Sequence, residues 1–425
     1  MKFFESSMDK VLYFVNSIYK PIEGKTAQVT LFSTETGKEQ KSIVIEVDRE
    51  RLTMSNHKGE IREGWFVYYV EGGQHLFRYG NLSFYARKQF SAFKELQKVL
   101  VTRYVDGQSD EIFVPFAFQN PMAVAVTSYH VNVGHGNCSL LLLQSGGKFN
   151  IWMVDCSVTD QSNWGNYTDN LRFCLNKIAS KLHIHEDKPL HIDRFFLTHT
   201  HYDHFNGMEY LIDHGHIDRN TLCYMNLYYN WAGKTYLRIL EKLLITNVKF
   251  VEPWSGNSNA AISFFHPECR LYRSAATIVS SSPHHRIVNS PVNDSSTVIM
   301  FNFGGHSMVF TGDLEQEGFN AMTSATKCSP ALFKSNYYTI SHHGSINGHP
   351  DMPCMNPERP MSSPLSCITN KLSKALLMGK KKAYNGIYSP AVVAYWSGLP
   401  GVLEITENAP HYLELDWSSG NVTYH

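Results

Sequence analysis

Between positions 199 and 204 the chain carries His199, His201, Asp203 and His204. Imidazole and carboxylate are the donors that zinc, manganese and iron accept, and four on so short a segment point to a metal centre. The spacing has a geometric meaning. His199 and His201, two apart on extended chain, turn their rings to the same side and so toward one ion. Asp203 and His204, at the turn where Gly207 opens a helix at Met208, can face a second ion about 3.5–4 Å away, as in two-metal hydrolases. Two cations so placed acidify a water between them and clamp the oxygen of a scissile phosphoryl or carbonyl group. Asp203 would orient that nucleophile besides ligating, and no nucleophilic side chain is needed. The plainer alternative is a histidine-rich loop that holds nothing.

Those residues need elements to hold them. Arg194-Phe195-Phe196-Leu197-Thr198 reads as a buried strand that runs straight into the cluster. Strands are also expected over 124–133, 139–143 and 149–154, the last ending at Asp155. A helix is expected over 169–182, where Leu171, Cys174, Leu175, Ile178 and Leu182 share a face. Strands and helices that alternate, with polar residues at strand ends, indicate a layered α/β architecture. Upstream the rhythm differs. Residues 6–19 read as a short helix with Val11, Leu12, Val15 and Ile18 on one side. Alternating runs at 27–32, 42–47 and 65–70, separated by turn clusters, read as a small antiparallel sheet. A helix fits 87–104 through Phe90, Phe93, Leu96, Val99 and Leu100, and 105–122 reads as a linker. The expected division is therefore a small α+β domain over 1–120 and a larger one over 121–425.

The order Thr198-His199-Thr200-His201-Tyr202-Asp203-His204-Phe205-Asn206-Gly207 after a buried strand resembles the signature of the metallo-β-lactamase superfamily. Ser307-Met308-Val309-Phe310-Thr311-Gly312-Asp313 resembles its strand ending in Thr-Gly-Asp, and Tyr338-Thr339-Ile340-Ser341-His342-His343-Gly344-Ser345 resembles its last ligand motif. Val133-Gly134-His135-Gly136-Asn137-Cys138-Ser139, followed by Met153-Val154-Asp155, looks like the opening hairpin. The resemblance implies an αββα sandwich over 121–425, preceded by a small β-rich domain. It also implies two divalent ions, zinc or manganese. Asp313 would bridge them, His343 would complete the second site with His342 as the alternative, and Asp155 would brace the metal loop. His342 or Ser345, beside the ligand histidine, would donate to the substrate oxygen or the leaving group. Where many members place a histidine of the first site, this chain has Asn293-Asp294. That implies a first ion completed by oxygen, and shifts the expectation from zinc toward manganese.

A narrower likeness is to the soluble domain of ComEC-type DNA-uptake channels. It rests on Gly134-His135-Gly136-Asn137, His342-His343-Gly344-Ser345, the run Val292-Asn293-Asp294-Ser295-Ser296-Thr297-Val298-Ile299, Phe264-Phe265-His266-Pro267, and a closing strand-turn-strand around 402–424. The opening motif of that group usually reads Gly-Gln-Gly-Asp, and its second ligand position is commonly acidic where this chain has His201. The likeness implies a phosphodiesterase, most plausibly a nuclease, with nucleic acid or a nucleotide as substrate. A second reading is hydrolysis of a small phosphodiester or ester such as a cyclic nucleotide. A third is a non-catalytic regulatory module whose N-terminal domain binds a partner protein.

Composition sets outer bounds. Thirty-eight basic and 38 acidic residues leave no net charge, so nothing in the overall balance pushes toward nucleic acid. Charged residues make up 18% and hydrophobic residues 43%, which argues against long disordered tails. No apolar run approaches the ~20 residues of a membrane span, and the charged start Met-Lys-Phe-Phe-Glu does not read as a signal peptide. Eight scattered cysteines without a CxxC pair read as reduced, buried thiols, and the cytoplasm is the expected location. Lesser candidates have plain readings. His183 and His185 fit a surface turn, His191 a structural role, and His266 and Cys156 packing. Lys380-Lys381-Lys382 fits a solvated turn, with contact to a phosphate backbone as the sharper alternative. Trp164, Trp254 and the aromatic run 224–231 fit core or rim packing rather than base stacking. His284-His285 falls in a long Ser/Pro-rich loop, where contact with substrate is the sharper reading.

Overall fold

The computed structural model describes residues 11–20, 25–34, 42–55, 57–69, 76–81, 83–105, 121–185, 187–252, 262–266, 269–272, 292–319, 335–350, 372–381, 383–384, 386–398, 401–405 and 408–425. The chain divides into two compact units, Met1–Leu96 with Asn230–Arg238, and Gln97–Tyr229 with Ile239–His425.

The first unit is built on five antiparallel strands, ordered Ser42–Asp48, Thr26–Ser33, Leu12–Tyr19, Phe66–Tyr69 and Phe77–Tyr79. Its central strand, Leu12–Tyr19, lies where a helix was expected over 6–19. The correction has a physical cause. Four apolar residues in so short a window fit either period, while Tyr13, Phe14, Val15, Ile18 and Tyr19 are β-branched or aromatic and favour a pleated surface. Both edges of this strand are paired, to Thr26–Ser33 and to Phe66–Tyr69. Val15, Val29, Leu31, Val67 and Phe77 fill one buried cluster. Phe14 meets Phe66 and Trp231 edge-on at 5.3 and 5.1 Å. Through Trp231 the segment Asn230–Arg238 joins this unit, an excursion invisible to a boundary read along the chain. Helix Phe84–Leu100 stops short of the expected 104. Tyr104–Val105 instead forms a short parallel strand beside Lys249–Val251.

The second unit contains two large sheets. One has nine strands, ordered Val422–Tyr424, Tyr412–Asp416, Ala125–Val131, Cys138–Ser145, Lys148–Cys156, Arg194–Phe196, Leu222–Tyr224, Lys249–Val251 and Tyr104–Val105. The other has seven, ordered Ile262–His266, Cys269–Tyr272, Val298–Phe303, His306–Phe310, Tyr337–Thr339, Lys374–Met378 and Val402–Ile405. The expected closing unit around 402–424 is thus divided. Val402–Ile405 joins the seven-stranded sheet, while the hairpin of Tyr412–Asp416 and Val422–Tyr424 edges the nine-stranded one. Side chains of both sheets meet in one core: Leu141, Trp152, Val154 and Phe196 from one, Ile299, Phe301, Phe310 and Leu376 from the other. Trp152 and Phe196 each lie 5.2 Å from the Phe301 ring. Burying a side chain of this size is worth about 1.5–3 kcal/mol, so the shared core ties the sheets firmly together.

Strand direction then places the chemistry. Lys148–Cys156 and Arg194–Phe196 are parallel neighbours, as are His306–Phe310 and Tyr337–Thr339. Each pair delivers its polar residues at carboxyl ends, the edge at which open α/β sheets present ligand sites. Among the described residues no helix is long and apolar enough to cross a membrane. Cys138, Cys156, Cys174, Cys223 and Cys269 are buried free thiols.

Candidate metal centre

The loop after Arg194–Phe196 is held by an aspartate one strand away. Asp155 accepts hydrogen bonds from the backbone N–H and hydroxyl of Thr198, both at 2.8 Å, and pairs with His204 Nδ1 at 2.8 Å. Asp155 itself has φ +53°, a left-handed conformation uncommon outside glycine. His201 precedes a one-turn helix, Tyr202–Phe205, and a second helix, Met208–Asp213, follows Gly207. Gly207 donates to the Cys156 carbonyl at 2.7 Å, and a Cβ there would lie 2.5 Å from Cys156 Sγ. The turn therefore depends on a missing side chain.

Asp313 follows His306–Phe310, and the pair His342–His343 follows Tyr337–Thr339. These histidines have φ of +48° and +50°, two consecutive left-handed residues. Each such residue costs about 1–2 kcal/mol and persists only where its surroundings over-determine it.

The fold gathers the candidates into two groups that share Asp313. His199, His201 and Asp313 form one; Asp203, His204, Asp313 and His343 form the other. Within each group the ligand atoms lie within 4.8 Å of one another, and all six residues are buried. Asp313 Oδ1 is 3.2 Å from His204 Nε2, while Oδ2 is 3.5 Å from His343 Nε2 and 3.9 Å from His199 Nε2. His343 Nε2 also lies 3.3 Å from Asp203 Oδ2. The outer nitrogens are clamped: His199 Nδ1 faces the Thr198 hydroxyl at 3.2 Å and His343 Nδ1 the Met378 carbonyl at 2.8 Å.

Electrostatics divides the histidines. Burial holds His199 well below the ordinary imidazole value and His201 at about 4, so both are neutral. Burial also opposes charge on His343, but Asp313 and Asp203 overcome it and raise the ring to about 10. His204 is raised the same way, by Asp313 and Asp155 against burial. Among the described residues, His199 Nε2, His204 Nε2, His343 Nε2, Asp203 Oδ1 and Asp313 Oδ1 are buried and make no hydrogen bond. Such atoms, gathered within two groups of ligand-type residues, fit a bound cation, since buried polar atoms left unsatisfied are costly.

Other expected residues stand nearby in different settings. Ser345 Oγ donates to Asn347 Oδ1. Asp294 Oδ1 accepts from the Gly318 N–H at 2.9 Å, and burial with the neighbouring Glu315 raises its carboxyl to about 7. Asn293 Nδ2 donates to Glu315 at 2.9 Å. Two residues absent from the expected set touch it. His135 Nε2 lies 3.4 Å from Asp203 Oδ2, with its ring 4.2 Å from that of His343. Glu315 Oε1 lies 3.3 Å from His342 Nδ1. The signal for His135 was its unusual place in the opening Gly-x-Gly motif; Glu315 had none.

Among the lesser candidates, His183 and His185 are exposed, and His191 stands 3.7 Å from Asp218. Lys380 pairs with buried Asp160 at 3.2 Å, and Lys381 lies 3.6 Å from Glu404. Lys380 is accordingly tied down rather than solvated. Tyr224 stacks on Phe196 in the core at 4.3 Å, Trp164 meets Tyr202 edge-on, and Cys156 is buried. Lys382, Trp254, His284, His285 and the side chain of His266 lie outside the described residues.

No protein-family model matches the chain, and no curated protein matches it either. Among solved structures it is similar to a new diphosphatase from the PhnP family, at 12% identity over 51% of this chain and 74% of that one, with a TM-score of 0.25.

Proposed function

We propose that the chain is a metal-dependent hydrolase of the metallo-β-lactamase type, an αββα sandwich whose substrate is a phosphodiester. The observation that carries this reading is the single carboxylate, Asp313, common to two buried ligand groups. A carboxylate shared in this way fits a pair of ions better than one. His199 and His201 would hold the first ion, Asp203, His204 and His343 the second, with Asp313 between them. Such a pair supplies acidified water and a clamp on the phosphoryl oxygen. The protein contributes orientation. Asp155 sets the His204 ring and the start of the loop, Met378 sets the His343 ring, and Asp203 is placed to align the attacking water. The buried walls around Asp313 exclude bulk solvent.

Nucleic acid or a nucleotide is the favoured substrate class. The small-substrate reading draws support from one feature: Lys380 and Lys381 lie beside Asp160 and Glu404, so part of the basic run is already engaged. Incubation with linear DNA, RNA, a cyclic nucleotide and bis-p-nitrophenyl phosphate, under zinc and under manganese, separates the readings. Hydrolysis that is lost on chelation and in Asp203→Ala supports the proposal. No hydrolysis of any substrate in either metal would remove it.

A further inference from the structure

We propose that His342 is the third imidazole of the first ion, oriented by Glu315, so that the adjacent His342 and His343 serve one ion each. This rests on the two-metal reading above and goes beyond it. The first ligand group contains His199, His201 and Asp313, one member fewer than the second. His342 stands at its margin, with Nε2 also 3.5 Å from Asn293 Nδ2. Its Nε2 is 3.9 Å from Asp313 Oδ2, the distance at which His199 Nε2 meets the same oxygen. Its Nδ1 faces a protein oxygen, Glu315 Oε1, at 3.3 Å. His204, His343 and His199 are braced in the same sense by Asp155, Met378 and Thr198.

Glu315 is itself fixed, accepting from Asn293 Nδ2 and from Asn347 Nδ2, each at 2.9 Å. An anchored carboxylate at Nδ1 fixes the orientation of the ring and so the direction in which Nε2 points. Backbone geometry agrees. The left-handed conformation at both His342 and His343 brings two successive side chains to one carboxylate oxygen, at 3.9 and 3.5 Å. On this account His342 is a ligand rather than a donor to the leaving group, and Glu315 is a positioning residue that acts through it.

The test is metal binding, read apart from activity. Chelator-stripped full-length protein is titrated calorimetrically with zinc, with circular dichroism as the control for folding. The unaltered protein takes up two ions. His342→Ala loses one binding step or weakens it by tenfold or more, and His343→Ala impairs the other. Glu315→Gln, which keeps the volume and both amide contacts, weakens the His342 step by about tenfold and leaves the other step unchanged. Should His342→Ala fail to fold, Glu315→Gln decides. Two ions bound with unaltered affinities in folded His342→Ala, or in Glu315→Gln, would overturn the assignment and leave the two-metal reading intact. An unaltered protein that binds no ion would overturn that reading itself.

Discussion

At the scale of residues the site is a set of imidazoles whose outer nitrogens are clamped and whose inner nitrogens converge. The clamps predict how tightly metal is held. Asp155→Asn removes the charge that orients His204 and should lower metal affinity about 10–100-fold, as measured by competition with a chromogenic chelator. Unchanged affinity would mean that Asp155 serves only the loop. Protonation gives a second prediction. His343 is raised to about 10 and His204 is raised as well, so without metal both rings carry a proton at neutral pH. A cation can bind only by displacing those protons. Zinc uptake at pH 7 should therefore release protons, and affinity should rise with pH. Calorimetry in buffers of different ionisation enthalpy reads this directly; a heat independent of buffer would contradict it.

At the scale of elements, parallel strand ends carry the candidate ligands and one glycine permits the turn that follows His204. Gly207→Ala should cost about 1–3 kcal/mol, because its Cβ would lie 2.5 Å from Cys156 Sγ and 3.0 Å from the Cys156 carbonyl. Cys156→Ala in the same chain should return part of that loss, and thermal unfolding of the four variants gives the coupling. Full additivity would show that Gly207 is needed for another reason. The same scale explains what was legible beforehand. His199 to His204 could be read because four ligand types sit side by side at a strand end. Asp313 and His343 are more than a hundred residues away and were reached only through a family resemblance. Glu315 could not be read at all, since its meaning depends on a fold that brings it against His342. The strand Leu12–Tyr19 was mistaken for a helix because its pairing partners, not its own period, decide its form.

At the scale of the whole molecule, two sheets with one core bring their polar strand ends to a common buried cluster of imidazoles and carboxylates. The segment Asn230–Arg238 contributes to the first unit although it follows the His199–His204 loop in the chain. We propose that this first unit provides a surface for a partner protein. If the substrate is a polynucleotide, its binding should weaken steeply as salt is raised, whereas binding of a cyclic nucleotide should change little. A fluorescence titration with labelled single-stranded DNA across a salt series distinguishes the two. All of this depends on ions at Asp313. The most direct test is elemental analysis of the purified protein beside Asp313→Ala, after both are loaded with zinc and desalted. The account predicts two ions per chain in the first and fewer than one in the second. Equal metal content in both, or none in either, would contradict it.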